Sequence, residues 1–263
     1  MSGNGQGVKV PGNRRRRGSL FWTLAGVAVL LLFWELASIL FGSVLIFPGP
    51  LPVLKHFLRL FRDGRFLSSL VYSFVRVLAG IAVSVPVGVA CGIAAGLDMR
   101  AGAVLKPFFQ IVSATPVMSV ILICFLFLGP ERTPVFTAFL MVFPVMAANT
   151  IEGIRRTDPK LRELFAVYRM NRNEALRFLY IPSIAPFVLG GLRSSLSLCW
   201  KVVVAAEVLV QPARSLGAGM QQAKARLETP ELFAWTAATV AAAAFTQGLL
   251  TLAIALSRRR RKG

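Results

Sequence analysis

Six long apolar runs leave this chain few ways to fold. They cover residues 20–47, 71–97, 108–128, 134–151, 187–210 and 232–256. Runs of this length match the hydrocarbon thickness of a bilayer when wound as helices. Lipid offers no partner to a backbone N–H or C=O, so each run must close its hydrogen bonds internally. The predicted fold is therefore an all-α, polytopic membrane protein with about six transmembrane helices. Composition agrees: 56% of residues are hydrophobic and the mean hydropathy is +0.66, too apolar for a soluble domain of 263 residues.

The net charge of +19 raises the question of nucleic acid. The basic residues, however, concentrate at the two chain ends and in one polar loop, where they flank apolar runs. In such places they act as topology signals, so no nucleic-acid partner is expected. Residues 1–19 are predicted to be a disordered basic cytoplasmic tail, 20–257 the transmembrane domain, and 258–263 a second basic cytoplasmic tail. Basic runs at both ends put both termini on the cytoplasmic side, which requires an even number of spans. Lys55, Arg59, Arg62 and Arg65 in the first external loop run against that rule. Residues 48–65 are read as a short interfacial helix with Leu54, Phe57, Leu58 and Phe61 as its stripe, and His56 as a surface residue. Cys91, Cys124 and Cys199 all fall in apolar runs and are read as packing residues.

The polar loop, 155–186, lies between spans four and five and carries seven basic residues from Arg155 to Arg177. Its local signals spell helix, turn, helix. Asp158 suits an N-cap and Pro159 the first helical position. Leu161, Leu164, Phe165 and Tyr168 then form one apolar stripe. Asn171, followed three residues later by Glu174, marks a second helix start. Pro182 and Pro186 are expected to stop that helix. A loop so structured suits the docking of a cytoplasmic partner, although a purely topogenic loop remains open.

These residues resemble a family. Membrane subunits of bacterial ABC importers carry a cytoplasmic motif of Glu-Ala-Ala, three residues, Gly, nine residues, Ile-x-Leu-Pro. Glu163 and Pro182 stand at that spacing, with Leu179 and Ile181 in the Ile and Leu places. Leu164 and Phe165 replace the two Ala, and Arg169 replaces the Gly that makes the turn. Ser73–Gly80, Leu189–Ser195, Trp200–Glu207 and Leu232–Trp235 also look like segments of nitrate/sulfonate/taurine-type permeases. The resemblance runs from about Leu20 to the end of the chain. It implies a homodimer, two cytoplasmic ABC ATPases and an external, periplasmic substrate-binding protein, all in a bacterial inner membrane. ATP and Mg would belong to the ATPase, not to this chain. It further implies that Glu163, Ala166, Arg169 and Asn173 touch the ATPase, with Asn171 and Glu174 building the turn. Leu164, Phe165 and Tyr168 would tie the loop to the spans.

Within the spans, Gly80, Ser84, Gly88, Gly92 and Gly96 form a smooth ridge for close helix packing. Thr115 and Pro116 interrupt span three and are candidate pathway residues. Charged residues inside spans usually face a bundle interior or a partner. Glu35 and Lys201 fall at similar predicted depth, so they are expected to pair, within one subunit or around the pathway; both, with neighbouring Trp200, are candidate pathway residues, and Lys201 is a candidate anion contact. Glu207 is expected near the outer end of span five, at the interface. No Lys is followed by Ser or Thr, so a phosphate-binding loop is missing, and one His with three scattered Cys offers no metal site. Catalysis by this chain is not expected. Alternatives of other classes are an ATPase-independent secondary transporter or channel and a non-transporting scaffold. Within the importer class, a thiamine-precursor pyrimidine is an alternative cargo.

Overall fold

A computed structural model describes residues 14–260, all of its regular structure helical. The helices are α1 (Arg14–Phe41), α2 (Pro50–Leu60), α3 (Gly64–Leu97), α4 (Met99–Ala114), α5 (Val117–Arg155), α6 (Pro159–Val167), α7 (Arg172–Glu174), α8 (Ile181–Val210), α9 (Leu216–Ala225) and α10 (Thr229–Arg260). Arg14 to Ser19, expected in a disordered tail, begin α1. The remainder of that tail, 1–13, and residues 261–263 lie outside the described residues.

The glycine ridge on α3 sets the core. A Cβ on Gly80, Gly88, Gly92 or Gly96 would press on Ala138, Met146, Thr150 or Ile154 respectively. Each partner lies the same distance further along the chain, so α3 and the 130–155 arm of α5 run parallel, side by side. α8 fills the other flank in the opposite direction: Gly191 meets Asn149, and Gly153 meets Ile184 and Phe187. Trp200, Val77, Val142, Met146 and Val203 are all buried along these seams.

Two parallel neighbours demand a return crossing between them. α4 and the 117–128 arm of α5 make it together. Five helices are long and apolar enough to span a membrane, with Val117–Arg155 taken as one. That helix is two arms meeting at Gly129 (φ 70°, ψ 178°), a backbone conformation that only glycine adopts freely. With α4 and the 117–128 arm taken as one crossing in two pieces, the described helices make about six crossings. The link between the apolar runs 108–128 and 134–151 shrinks to Gly129 alone, and Thr133 Oγ1 donates to the Gly129 carbonyl at 2.7 Å as helix resumes at once. Both described ends of the chain lie at the same end of the bundle as the 155–180 loop. The opposite end is called the far end below.

The 211–231 segment, between the apolar runs 187–210 and 232–256, is not an open loop but contains α9. Ser215 caps α9 by accepting from the Ala218 N–H at 3.0 Å. A Cβ on Gly217 would lie 2.4 Å from the Val208 backbone nitrogen, and one on Gly219 within 2.7 Å of the Trp235 indole. The glycines that weaken the helix signal are there to let α9 lie flat on α8 and α10.

Candidate functional site

The loop between α5 and α8 is built from three locally determined pieces. The Asp158 carboxylate accepts from the Lys160 N–H at 2.9 Å, and Pro159 opens α6. Asn171 and Glu174 form a reciprocal capping box. The Asn171 N–H donates to Glu174 Oε2, and the Glu174 N–H donates to Asn171 Oδ1, both at 2.9 Å. Between them the turn is a Schellman motif. Met170 N–H donates to the Phe165 carbonyl at 3.2 Å and Arg169 N–H to the Ala166 carbonyl at 3.0 Å. Arg169 takes the left-handed conformation (φ 50°) that glycine adopts without penalty.

A side chain in that conformation costs on the order of 1 kcal/mol. Arg169→Gly should therefore slow amide hydrogen exchange across 165–174 about fivefold, and Arg169→Val should speed it. Equal exchange in wild type and both variants would show that the turn is unstrained.

Pro182 and Pro186 do not stop the second helix. A widened turn over Ala175–Tyr180 precedes Pro182, with the Ile181 N–H reaching the Leu176 carbonyl. In an ordinary α-turn the Pro182 ring would collide with the carbonyl four residues back; the wide turn absorbs this. Helix thus continues from Ala175 to Val210, 36 residues or about 54 Å. The end of the 155–180 loop and span five are one rod.

The expected anchoring by the apolar stripe of α6 is not seen. No residue of α6 is buried; Leu161, Leu164 and Tyr168 are exposed, Tyr168 at 72%, and only Phe165 is half-buried. α6 packs only lightly, against the turn over Ala175–Tyr180, and leaves its stripe uncovered. Glu163, Ala166, Arg169, Asn171 and Asn173 are also exposed, with Glu174 half-buried. A contiguous apolar stripe beside charged residues, held on a rigid capped turn, is a surface fit for a protein partner.

Thr115 ends α4, its N–H and Oγ1 both bonded to the Ile111 carbonyl at 3.0 and 2.7 Å, and Pro116 starts the next arm. The expected break in span three is present. Lys201 is exposed and lines a groove of about 610 Å³ between α8, α9 and α10, together with Ser197, Met220, Thr239 and Gln247. Trp200, by contrast, is buried and donates its indole N–H to Thr246 Oγ1 at 2.9 Å, so it ties α8 to α10.

Glu35 and Lys201 do not pair; the three ion pairs among the described residues lie elsewhere. α1 leans on the stretch after it and on α10. Trp34 donates to the Pro48 carbonyl at 3.0 Å and stacks on Phe233. Glu35 accordingly sits by Ser38 and Gly49, on a helix that does not flank Lys201.

Glu207 is the largest departure from expectation. It is wholly buried, not interfacial. Its carboxylate accepts from Ser73 Oγ at 2.8 Å, Arg76 Nη1 at 3.0 Å and the Gly217 N–H at 3.3 Å. Arg76 also bonds the Arg214 carbonyl at 2.8 Å and pairs with Glu131, which accepts from the Ala213 N–H. Ser73 accepts from the Leu216 N–H at 3.0 Å. One knot at the far end thus joins α3, α5, α8 and the 213–217 strap.

A bundle of about six crossings, knotted at one end and presenting the uncovered α6 at the other, is a multi-pass membrane protein. The family described as "Binding-protein-dependent transport system inner membrane component" matches residues 84–262. The chain belongs to that family. It is 30% identical over 193 residues to a probable ABC transporter permease of Brucella melitensis, covering 73% of this chain and 78% of that one. It is 27% identical to the taurine transport system permease protein of Escherichia coli, over 81% of this chain and 79% of that protein. The bicarbonate transport system permease protein of Synechococcus elongatus is 26% identical, over 78% and 77%. Among solved structures, a bacterial ABC transporter that imports alginate shares the fold, with a TM-score of 0.64 at 15% identity, over 93% of this chain and 96% of that one.

Proposed function

We propose that this chain is the membrane-spanning subunit of an ATP-driven importer, working as two copies with two cytoplasmic ABC ATPases and an external binding protein. The uncovered α6 surface carries the proposal: it is rigid, capped at both ends, and its apolar stripe has nothing of its own to cover it. The seven basic residues from Arg155 to Arg177 favour the cytoplasm for this end, and both termini go with it. ATP and Mg act on the ATPase. When the ATPases close, they push Glu163, Ala166, Arg169 and Asn173. The push passes through the capped turn into the rod from Ala175 to Val210, and the spans rock between inward- and outward-open states. Cargo passes between the two copies, along the Thr115–Pro116 break and past Lys201. A small anion is the favoured class, since Lys201 is an exposed cation with no ion-pair partner among the described residues, in a groove with hydroxyl and amide neighbours, and relatives bear the names of taurine and bicarbonate systems.

The test is co-purification of the tagged chain with the ATPase encoded beside it. The pair should survive in detergent, and Glu163→Arg should cut the retained ATPase by about tenfold or more. No retention, or retention indifferent to position 163, would favour a transporter that works without an ATPase.

A further inference from the structure

The crossing begun by α4 leaves a gap beside it. No residue of α4 is buried. Two contacts hold the helix in place. A Cβ on Gly102 would lie 2.9 Å from the Ala95 carbonyl oxygen of α3, and Phe108 and Phe109 meet Phe143 of α5 with ring centroids 5.9 and 6.0 Å apart. At the end of the bundle that carries the 155–180 loop, α3, α4 and α5 enclose a cavity of about 740 Å³. Gly96, Gly102, Ala103 and Ala148 stand on its walls and are too small to fill it.

α4 turns a polar row into this cavity. Lys106, Gln110 and Ser113 fall at i, i+4 and i+7, on one face of the helix, and all three line the space. Val104, Phe108 and Ile111 make the opposite face apolar. The row rises about 10 Å along the helix and ends one residue pair short of the Thr115–Pro116 break. Arg155 adds a second cation from the end of α5.

Lys106 and Arg155 are exposed, and neither has an ion-pair partner among the described residues. Glu152, the acid on the wall, is half-buried and pairs with Arg156. The charge left facing the cavity is therefore positive. Phe109 and Ile151 supply an apolar wall beside it.

We propose that this cavity binds a small organic anion, its oxyanion group held by Lys106 and Arg155, with Gln110 and Ser113 as further donors and its apolar body against Phe109 and Ile151. A purely inorganic anion would leave that apolar wall uncovered. The role of the site rests on the importer reading: it is where cargo that has passed the Thr115–Pro116 break is released to the cytoplasm. Binding itself requires neither the ATPase nor uptake, so loss of binding and loss of ATPase retention are separate failures.

The test is fluorine NMR line broadening of trifluoropropanesulfonate by the full chain in phosphatidylcholine nanodiscs, with empty nanodiscs as the blank. The sulfonate should bind about tenfold more tightly than uncharged trifluoropropanol. Lys106→Gln/Arg155→Gln should abolish that preference. Arg100→Gln/Lys160→Gln, which removes two exposed charges outside the cavity, should keep it. Ala148→Trp, filling the space from α5, should weaken sulfonate binding about tenfold. Phosphatidylglycerol added at high salt, where membrane charge is screened, should leave sulfonate affinity within about twofold. Four results overturn the assignment: no preference in the wild type, wild-type binding in either cavity variant, equal loss in the control variant, or displacement by phosphatidylglycerol, which would give the two cations to a lipid headgroup.

Discussion

Arg76→Met should destabilise the protein by about 3–5 kcal/mol, the largest effect of any single change at the far end. The reason is Glu207. Its carboxylate has no exposure, and Arg76 is the one cation that touches it among the described residues. Removing the guanidinium leaves a charge in a dry site with only Ser73 Oγ and the Gly217 N–H as donors. The strap also loses its bond from Arg76 to the Arg214 carbonyl, and Glu131 loses its cation. Thermal unfolding in detergent micelles measures the effect. Glu207→Gln should be milder, because the amide oxygen can still accept from Arg76. The double variant Arg76→Met/Glu207→Met should recover much of what Arg76→Met loses, since both desolvated charges are then gone. A loss below about 1 kcal/mol for Arg76→Met would mean that water reaches Glu207.

Gly88→Val and Gly92→Val should each cost about 3 kcal/mol or more, beyond ordinary overpacking. A Cβ on Gly88 would come within 2.5 Å of Met146 Cβ and 2.6 Å of the Phe143 carbonyl oxygen. On Gly92 it would meet Thr150 Cβ at 2.5 Å and the Ala147 carbonyl oxygen at 2.8 Å. These are backbone and near-backbone atoms, which cannot step aside, so α3 and α5 must part. Gly80→Ala should be far gentler, with contacts of 3.1 and 3.2 Å to a methyl group and to Cys199 Sγ. Gly190→Ala and Gly248→Ala, with nothing within 4 Å, should be neutral or slightly stabilising. The recovery of monodisperse protein after mild heating ranks the series. If Gly88→Val and Gly248→Ala behave alike, the close approach of the two helices is not real.

The spans, the glycine ridge, the Asp158 cap and the Asn171–Glu174 box were legible in the sequence because each is fixed by neighbours within a turn or two. The break at Thr115–Pro116 was legible for the same reason. What escaped depends on distant residues. Glu207 reads as interfacial from its position six residues after Lys201, yet Ser73, Arg76 and Gly217 converge on it from other elements. Gly217 and Gly219 have poor helix propensity, yet they lie in α9 because its packing on α8 and Trp235 requires them. Pro182 reads as a stop signal because a proline cannot fit an ordinary α-turn, but the wider turn before it lets the helix continue. Glu35 and Lys201 share a depth, and depth says nothing of azimuth around the bundle.

The parallel seam of α3 and α5 has a mechanical meaning. Met146, Thr150 and Ile154 sit in notches left by Gly88, Gly92 and Gly96, one per helical turn. Sliding one helix along the other by half a turn would drive each side chain onto the ridge between notches. The next comfortable position lies a whole turn away, about 5.4 Å. The pair behaves as a ratchet with one occupied tooth, and a push from either end shifts it as a single beam. Any rearrangement that opens and shuts a route across the membrane must then fall on joints without such teeth: the Thr115–Pro116 gap and the Gly129 elbow.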